Sequence, residues 1–423
     1  MITTIVTALT VKDIRRKILF TAMILAIYRF GAHLYVPGVN AAAIKSSTAL
    51  SGSGIFGFLN LFSGGALSQL AIFALGIMPY ITASIILQLL QVVVPSLEKL
   101  HKEGEVGQAR ITQYTRYLTV GLAFAQSIGY VFLFHSLPAS AAGAIIPNWD
   151  LQHIFLIVIS LTAGTVLVMW MGELITQRGI GNGISLMIFA NIVSRLPSAV
   201  HTWFTSNNQV FKVVLPFLVL ALVAGIVFVQ EGQRRIPVQY AKRVVGRRMT
   251  SGGQTYLPLR VNMAGVIPVI FAASLMAFPP TIGQILNTKW SIDLENFFSP
   301  SGWHYILGEA ILIVIFTYFY TAVTFNPVEQ ADNLKKYGGF IPGVRPGRPT
   351  AEFLDKILAR LTFPGSLYLA AVAALPAIVY ARTGESFNFG GTSIIIVIGV
   401  ALDTMKQLEA QLMMRNYEGF LKT

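Results

Sequence analysis

The chain has 423 residues, of which 54% are hydrophobic and only 12% are charged, and its formal net charge is +13. A soluble globular domain carries about 25% charged residues, so this composition excludes a soluble fold and indicates an integral membrane protein. The absence of cysteine excludes disulfide bonds and thiol chemistry.

Ten apolar stretches follow one another along the chain. All but a shorter one near Ile188 are about 18 to 25 residues long, which is enough to cross a bilayer as a helix. Their centres are Ile27, Ile85, Phe124, Val158, Ile188, Leu218, Ile270, Ile315, Val372 and Val400. The sequence therefore predicts an all-α polytopic membrane protein with ten transmembrane helices.

Lysine and arginine are distributed unevenly between these stretches. The N-terminus, the loops after the second, fourth, sixth and eighth stretches, and the C-terminal tail hold 25 of the 31 basic residues. Positive residues resist translocation, so both termini are predicted to face the cytoplasm. Much of the net charge is thus an orientation signal that meets anionic lipid headgroups, which is a stronger reading than nucleic-acid binding.

The stretches divide into two sets of five, in residues 1–200 and 201–423. Because five is an odd number, the second set enters the membrane from the opposite face. This parity permits an inverted repeat with a pathway between the halves. No convincing sequence identity links the two halves, so the repeat is inferred from parity alone.

The second apolar region, 55–95, is too long and too interrupted to be one plain helix. The Gly64–Gly65 pair weakens any helix there, and the part at about 55–67 is too short to span. Short or non-helical backbone at membrane depth persists only inside protein or beside a water-filled cavity. This part is predicted to be a re-entrant plug from the extracellular side; the alternative is an ordinary extracellular amphipathic loop.

Six specific runs of residues occur in a characteristic order: Asn60–Tyr80, Arg178–Ser185, Tyr240–Arg243, Val261–Pro268, Gly339–Gly347 and Gly390–Ser393. Together they resemble the SecY family of bacterial protein-translocation channels. The resemblance covers essentially the whole chain, and the family has the same ten-span topology.

The resemblance implies a passive protein-conducting channel of the bacterial plasma membrane, with no enzymatic activity, cofactor or metal. Two five-helix halves would enclose a central pore that a plug closes, with a lateral gate between the second and seventh spans. Unfolded secretory polypeptides with signal sequences would pass through the pore, and hydrophobic segments would leave sideways into lipid. The implied partners are the small membrane subunits SecE and SecG, the motor ATPase SecA and the ribosome.

A ring of apolar side chains is implied at the waist of the pore. An apolar constriction blocks ions by dewetting and offers a passing chain no specific hydrogen bond. Isoleucine is common in membrane helices, and without the resemblance each of these positions reads as core or lipid-facing. The positions that match the ring are Ile81, Ile85, Ile184, Ile188, Ile270 and Ile396.

The plug has to leave its seat, so small and polar residues that hold it weakly are expected. Its assigned residues are Ile55, Phe58, Asn60, Leu61, Phe62, Ser63, Gly64 and Gly65. Arg29, toward the outer end of the first span, is expected to snorkel to the membrane surface.

The lateral gate needs helices that pack together but can separate. Pro79 and Pro268 are expected to remove backbone hydrogen bonds and allow bending. Gln126 and Asn262 resemble the family's gate-bridging polar cluster, and their partner in the second span is either Thr82 or Ser84.

Two cytoplasmic loops, at about 231–261 and 326–360, carry more basic residues than topology requires. Prolines and glycines around Arg345 predict a stiff projecting turn. The loops resemble those that bind SecA and the ribosome, where arginines would contact phosphates without reading bases. The assigned docking residues are Arg234, Arg235, Lys242, Arg243, Arg247, Arg248, Arg345 and Arg348.

Other function classes remain as alternatives. Gly179–Gly183 lacks the GK[ST] of a phosphate-binding loop, and the histidines show no HExxH pattern. An ion-coupled secondary transporter would need buried acidic residues near the midplane, for which Asp403 alone is thin support. A lipid scramblase or a membrane-insertion scaffold is a third reading. Neither alternative needs two large basic loops.

Overall fold

The computed structural model describes residues 9–46, 60, 62–136, 143–205, 209–240, 243–245, 248–250, 254–286, 297, 302–383 and 391–421. These ranges are mostly helical, with one small region of β-structure. The helices are α1 Lys12–Gly31, α2 Ala41–Ser46, α3 Met78–Val93, α4 Pro95–Lys102, α5 Glu105–Ser136, α6 Leu151–Arg178, α7 Gly183–Val193, α8 Leu196–Thr205, α9 Gln209–Glu231, α10 Ile267–Leu286, α11 Trp303–Thr324, α12 Pro327–Lys336, α13 Arg348–Thr383 and α14 Gly391–Leu421. The strands are β1 Gln233–Tyr240, β2 Arg243–Val245, β3 Arg248–Thr250, β4 Gln254–Arg260 and β5 Gly339–Phe340.

Each of the ten predicted span centres lies inside one of these helices. Within the described residues, seven helical segments are long and apolar enough to cross a membrane, and α3 with α4 forms an eighth if that pair, bent by 99°, is one span. Helix α1 carries its lysines and arginines mainly in its first two turns, and α10 includes a shorter apolar stretch, Ile267–Met276. The exact count of ten spans therefore stays a prediction.

Among the described residues, helices from the two predicted halves pack against each other, and Lys17 of α1 also donates a hydrogen bond to Gln411 of α14 at 3.3 Å. Helices α3 and α5 contact α10, whereas α7 contacts α14. The other main helix contacts stay within one set: α5 with α6 and α6 with α7 in the first, and α10 with α11 and α11 with α13 in the second. This pattern is compatible with two five-span units, and the division at residue 200 stays a prediction.

Glycine permits close backbone approach at some of these crossings. A Cβ atom at Gly164 on α6 would overlap the backbone carbonyl of Ile72, and one at Gly391 on α14 would overlap the carbonyl of Val372. In membrane proteins small residues allow such approach, because packing rather than water exclusion holds helices together.

The two basic loops are joined in one antiparallel sheet with strand order β4-β1-β5. Strands β1 and β4 form a hairpin, and Tyr240 of β1 pairs with Gly339 of β5. Along β1, Ile236 and Val238 are buried, Arg235 and Pro237 are exposed, and Gln239 is half-buried. This is the alternation expected of a strand with one buried face. That face contributes to a small apolar cluster with residues of α13, including Leu354.

Candidate functional site: an apolar constriction and a re-entrant segment

The six isoleucines predicted to form the ring lie in one hydrophobic cluster. Five are buried in it, and Ile184 is half-buried and packs against it. They come from α3, α7, α10 and α14, the helices that meet where the two sets contact each other. The structure therefore brings together side chains that lie far apart in sequence. Their arrangement as a ring around a pore stays a prediction.

The described part of the predicted plug lies inside the helix bundle. Asn60, Phe62 and Ser63 are buried, and Phe62 belongs to the same cluster as the predicted ring. An exposed amphipathic loop, the alternative considered from the sequence, does not describe these residues. The assigned plug residues that fall outside the described residues are Ile55, Phe58 and Leu61.

This segment is an ordered turn. Gly64 and Gly65 have φ values of +64° and +93°, which glycine adopts at little cost. The Asn60 side chain closes the turn, because its Oδ1 accepts a hydrogen bond from the Ser68 amide at 2.9 Å. The Asn60 carbonyl also accepts one from the Gly65 amide at 3.0 Å. Glycine therefore occurs at these two positions because the backbone there has positive φ, and its presence is not a sign of a loosely held loop.

Two side chains that sequence reasoning missed bind the backbone of the segment. Arg29 Nη1 donates to the Gly64 carbonyl at 2.6 Å. Asn191 Nδ2 donates to the Phe62 carbonyl at 2.5 Å and to the Tyr28 hydroxyl at 2.8 Å. The expectation that Arg29 snorkels to the membrane surface is therefore wrong. An amide on the otherwise apolar α7 was a signal that could have identified Asn191.

The two prolines of the predicted gate lie where their helices begin. Pro79 is in the first turn of α3, and Pro268 is the second residue of α10. A first-turn proline removes no intrahelical hydrogen bond, because the N–H at that position has no partner within the helix. The expectation that these prolines bend the spans by removing hydrogen bonds is therefore wrong. The helices that they start, α3 and α10, do contact each other.

The polar residues of the predicted gate bond within their own segments. Thr82 Oγ1 donates to a carbonyl of α3 at 3.1 Å, and Ser84 Oγ accepts from a glutamine one turn later at 3.3 Å. Asn262 Nδ2 donates to a carbonyl three residues on at 2.8 Å, while its Oδ1 is buried with no partner among the described residues. Gln126 is half-buried on α5. A cluster bridging these residues stays a prediction.

The predicted docking arginines lie on and beside the sheet that joins the two basic loops. Arg234 and Arg235 are exposed on β1. Arg345 is exposed in the turn between β5 and α13, and its carbonyl accepts a hydrogen bond from the Thr350 hydroxyl at 2.8 Å, which braces the turn. Arg348 begins α13 and pairs with an exposed glutamate at 3.1 Å. Of the remaining assigned residues, Arg243 and Arg248 lie in β2 and β3, and Lys242 and Arg247 lie outside the described residues.

Acidic residues within the spans bear on the transporter alternative. Glu173 on α6 forms a two-point ion pair with Arg116 on α5, with Nη2 to Oε2 at 2.6 Å and Nε to Oε1 at 2.9 Å. Glu309 on α11 is buried, and its Oε1 has no hydrogen-bond partner among the described residues. Within the same residues, no group of three or more acidic or histidine side chains could hold a metal ion.

These features define a polytopic helical membrane protein with a central apolar cluster and a buried turn packed into it. A family model described as SecY matches residues 71–405. The chain is 51% identical over 441 residues to the "Protein translocase subunit SecY" of Streptomyces galbus, with 100% of both chains covered. It is 53% identical over 430 residues to that of Corynebacterium glutamicum, with 97% of this chain and 98% of the relative covered. The chain belongs to the SecY family.

Solved structures show the same fold. A structure described as "The structure of a protein conducting channel" aligns with a TM-score of 0.65 at 18% identity, covering 93% of this chain and 91% of that one. "Sec61 in the Canine ribosome-channel complex from the endoplasmic reticulum" aligns with a TM-score of 0.63 at 18% identity, with the same coverage. The predicted all-α polytopic membrane fold is confirmed, and the chain is a multi-pass membrane protein.

Proposed function

We propose that this chain is the channel subunit of a bacterial protein translocase, a passive conduit through the plasma membrane with both termini in the cytoplasm. The observation that carries the proposal is the shared cluster of six isoleucines and Phe62. It joins side chains from four helices of both sets with the re-entrant segment. An apolar constriction with a movable stopper suits a substrate of arbitrary sequence, because it excludes ions by dewetting yet offers no specific hydrogen bond.

Opening would require two movements. The re-entrant segment leaves the cluster so that an unfolded polypeptide can enter between the isoleucines. The contact between α3 and α10 separates so that a hydrophobic segment or a signal sequence passes sideways into lipid. Neither movement uses bond chemistry in this chain, so the energy for transport comes from a partner.

The cytoplasmic sheet supports docking of such a partner. It places the exposed Arg234, Arg235 and Arg345 on one connected platform. The proposed partners are the SecA motor and the ribosome, the latter through arginine contacts to RNA phosphates. SecE and SecG are the proposed membrane subunits. Anionic lipid would contact the basic cytoplasmic ends.

The ion-coupled transporter is the second candidate. Among the described residues only the buried Glu309 favours it, because Asp403, the residue considered from the sequence, is exposed. A buried charge in a span costs about 2.5–3.5 kcal/mol and marks function by default. Glu309 nevertheless forms no ion pair and joins no metal-type cluster among the described residues. A transporter also gives no reason for the basic sheet.

A crosslinking experiment separates these functions. The chain lacks cysteine, so Ile270→Cys introduces a single thiol at the constriction. The channel is reconstituted with its membrane subunits and SecA, and a precursor with one cysteine is stalled in mid-chain. A disulfide that forms only with ATP and only with a signal sequence is expected.

The matched control is Ile311→Cys, at a residue of α11 that is 50% exposed to the outside of the bundle. Crosslinking at Ile311 without crosslinking at Ile270 would place the precursor at the lipid-facing surface. That result would favour an insertion scaffold over a channel as the function of this chain.

A further inference from the structure

We propose that Arg29 and Asn191 are positioning residues for the plug. These two residues hold the plug backbone in its closed position and thereby set how effective a signal sequence must be to open the channel. The inference rests on the proposed function of the re-entrant segment as a plug. It concerns two side chains that lie outside the predicted plug, ring and gate.

Arg29 holds the segment through a backbone atom. Its Nη1 donates to the Gly64 carbonyl at 2.6 Å across 35 positions of sequence. The side chain is half-buried and forms no ion pair with a described acidic residue. A hydrogen bond from a charged donor is about twice as strong as a neutral one. Release of the segment would therefore leave a cation in the bundle without this acceptor.

Asn191 holds the segment from a second helix. It is fully buried, and both contacts of its amide nitrogen are inside the bundle: the Phe62 carbonyl at 2.5 Å and the Tyr28 hydroxyl at 2.8 Å. Tyr28 is itself fixed, because its ring stacks on Phe73 at a centroid distance of 5.6 Å. Tyr28 thus orients the asparagine amide toward the carbonyl that it binds.

The side chains that hold the segment leave no room for a Cβ atom at position 64. A Cβ atom there would lie 2.6 Å from Asn191 Oδ1 and 2.8 Å from Arg29 Nη1. The neighbouring Gly65 also has positive φ, but a Cβ atom at that position meets nothing within 4 Å. Alanine at either position would suffer backbone strain, but only alanine at position 64 would also collide with the two anchoring side chains. Comparison of the two variants therefore separates the effect of strain from the effect of collision.

Both anchors lie on helices of the first set, α1 and α7. The plug is therefore attached to one half of the protein, and movement of the second half would not by itself carry it away. Opening has to break the two bonds to the Phe62 and Gly64 carbonyls. Because the acceptors are backbone atoms, plug substitutions that do not collide with Arg29 or Asn191 leave these bonds available.

The test compares variants of the full-length channel, reconstituted with its membrane subunits in vesicles. Arg29→Met, Asn191→Leu and Gly64→Ala disturb the anchors, and Gly65→Ala supplies the matched backbone strain. Thr119→Val serves as a buried polar control. Among the described residues, the Thr119 hydroxyl bonds within α5 alone, at 2.7 Å to a carbonyl four residues before it. Thermal unfolding confirms that each variant is folded.

Loss of one anchor is expected to raise the ratio of open to closed channels about tenfold, which corresponds to about 1.4 kcal/mol. The resting ion conductance rises accordingly, and a precursor with a defective signal sequence is translocated. Arg29→Lys, which keeps a cationic donor, restores part of the seal. Gly64→Ala exceeds Gly65→Ala in both readouts. Equal effects of the two glycine variants, or anchor variants that behave like Thr119→Val, would overturn the proposal.

Amide hydrogen exchange of residues 62–70 tests the anchors without reference to transport. Faster exchange in Asn191→Leu and Arg29→Met is expected, and unchanged exchange refutes the anchoring whatever the channel conducts. Faster exchange together with an unchanged seal shows that the anchored segment is not a plug. Failure of the wild-type chain to translocate any precursor would instead refute the proposed function.

Discussion

Substitution of Ile396 by asparagine is expected to make the resting channel leak ions. Ile396 is 0% exposed and belongs to the cluster that contains the predicted ring. Loss of the buried apolar side chain destabilises the folded protein by about 1.5–3 kcal/mol. Burial of an amide without a partner adds about 1–3 kcal/mol. Water in an open pore hydrates the amide and removes this second cost, so the open state gains about 1–3 kcal/mol, or about 5- to 150-fold in population.

Ile395→Asn is the matched control. Ile395 is also 0% exposed and lies in the same cluster, one position earlier on α14 and therefore rotated about 100° around the helix axis. Both variants suffer the same losses on folding, so both should unfold at a lower temperature. Only Ile396→Asn changes the proposed ring.

The assay is single-channel recording of the reconstituted channel in a planar bilayer, without a precursor. Openings that are frequent with Ile396→Asn and rare with Ile395→Asn are the expected result. Equal leak in the two variants would show that general loosening, and not a ring, admits ions. A tight Ile396→Asn channel that folds normally would remove Ile396 from the ring.

Three further substitutions probe docking, helix packing and capping. Arg345→Glu should abolish motor-driven translocation without affecting assembly. The control Lys356→Glu makes the same change of charge on α13 and should retain motor-driven translocation. Full activity of Arg345→Glu would contradict docking at this turn. Gly164→Ala should lower the unfolding temperature, because its Cβ would overlap a backbone carbonyl and overpacking costs about 1–3 kcal/mol; Gly121→Ala, which meets nothing within 4 Å, should not. Asn182→Ala removes a cap that accepts from two amides of α7 and should destabilise the protein by about 1 kcal/mol, measured by thermal unfolding in detergent.

The helical framework was predictable because hydrophobicity over a span is a local property. Every predicted centre lies in a helix, including Ile188, whose stretch looked too short. The burial of Ile270 and Ile396 in one cluster followed from neighbouring motifs, since isoleucine alone does not distinguish a pore from a lipid-facing surface. The position of these isoleucines beside the motifs thus predicted their place in the cluster, which composition alone could not predict.

Contacts between distant polar atoms were not predictable in the same way. The bond from Arg29 to a carbonyl 35 residues away depends on how a turn folds against a helix, which no periodicity encodes. Pro79 and Pro268 were expected to bend their spans because only the centres of those spans, and not the starts of α3 and α10, had been predicted. Their preference for the first helical turn would have marked those starts correctly.

The pairing of the two basic loops was also missed, since Tyr240 and Gly339 are far apart in sequence. The alternation of buried and exposed residues around Ile236 and Val238 was a readable strand signal. That alternation did not identify β5 as the strand that pairs with β1.

The origin of the sheet in two separate loops has a mechanical consequence. Strand β1 continues from α9 almost without a break, while β5 leads through the Arg345 turn into α13. Pairing of β1 with β5 therefore ties the end of α9 to the start of α13 through backbone hydrogen bonds. A force applied to one loop is passed to the other through this pairing.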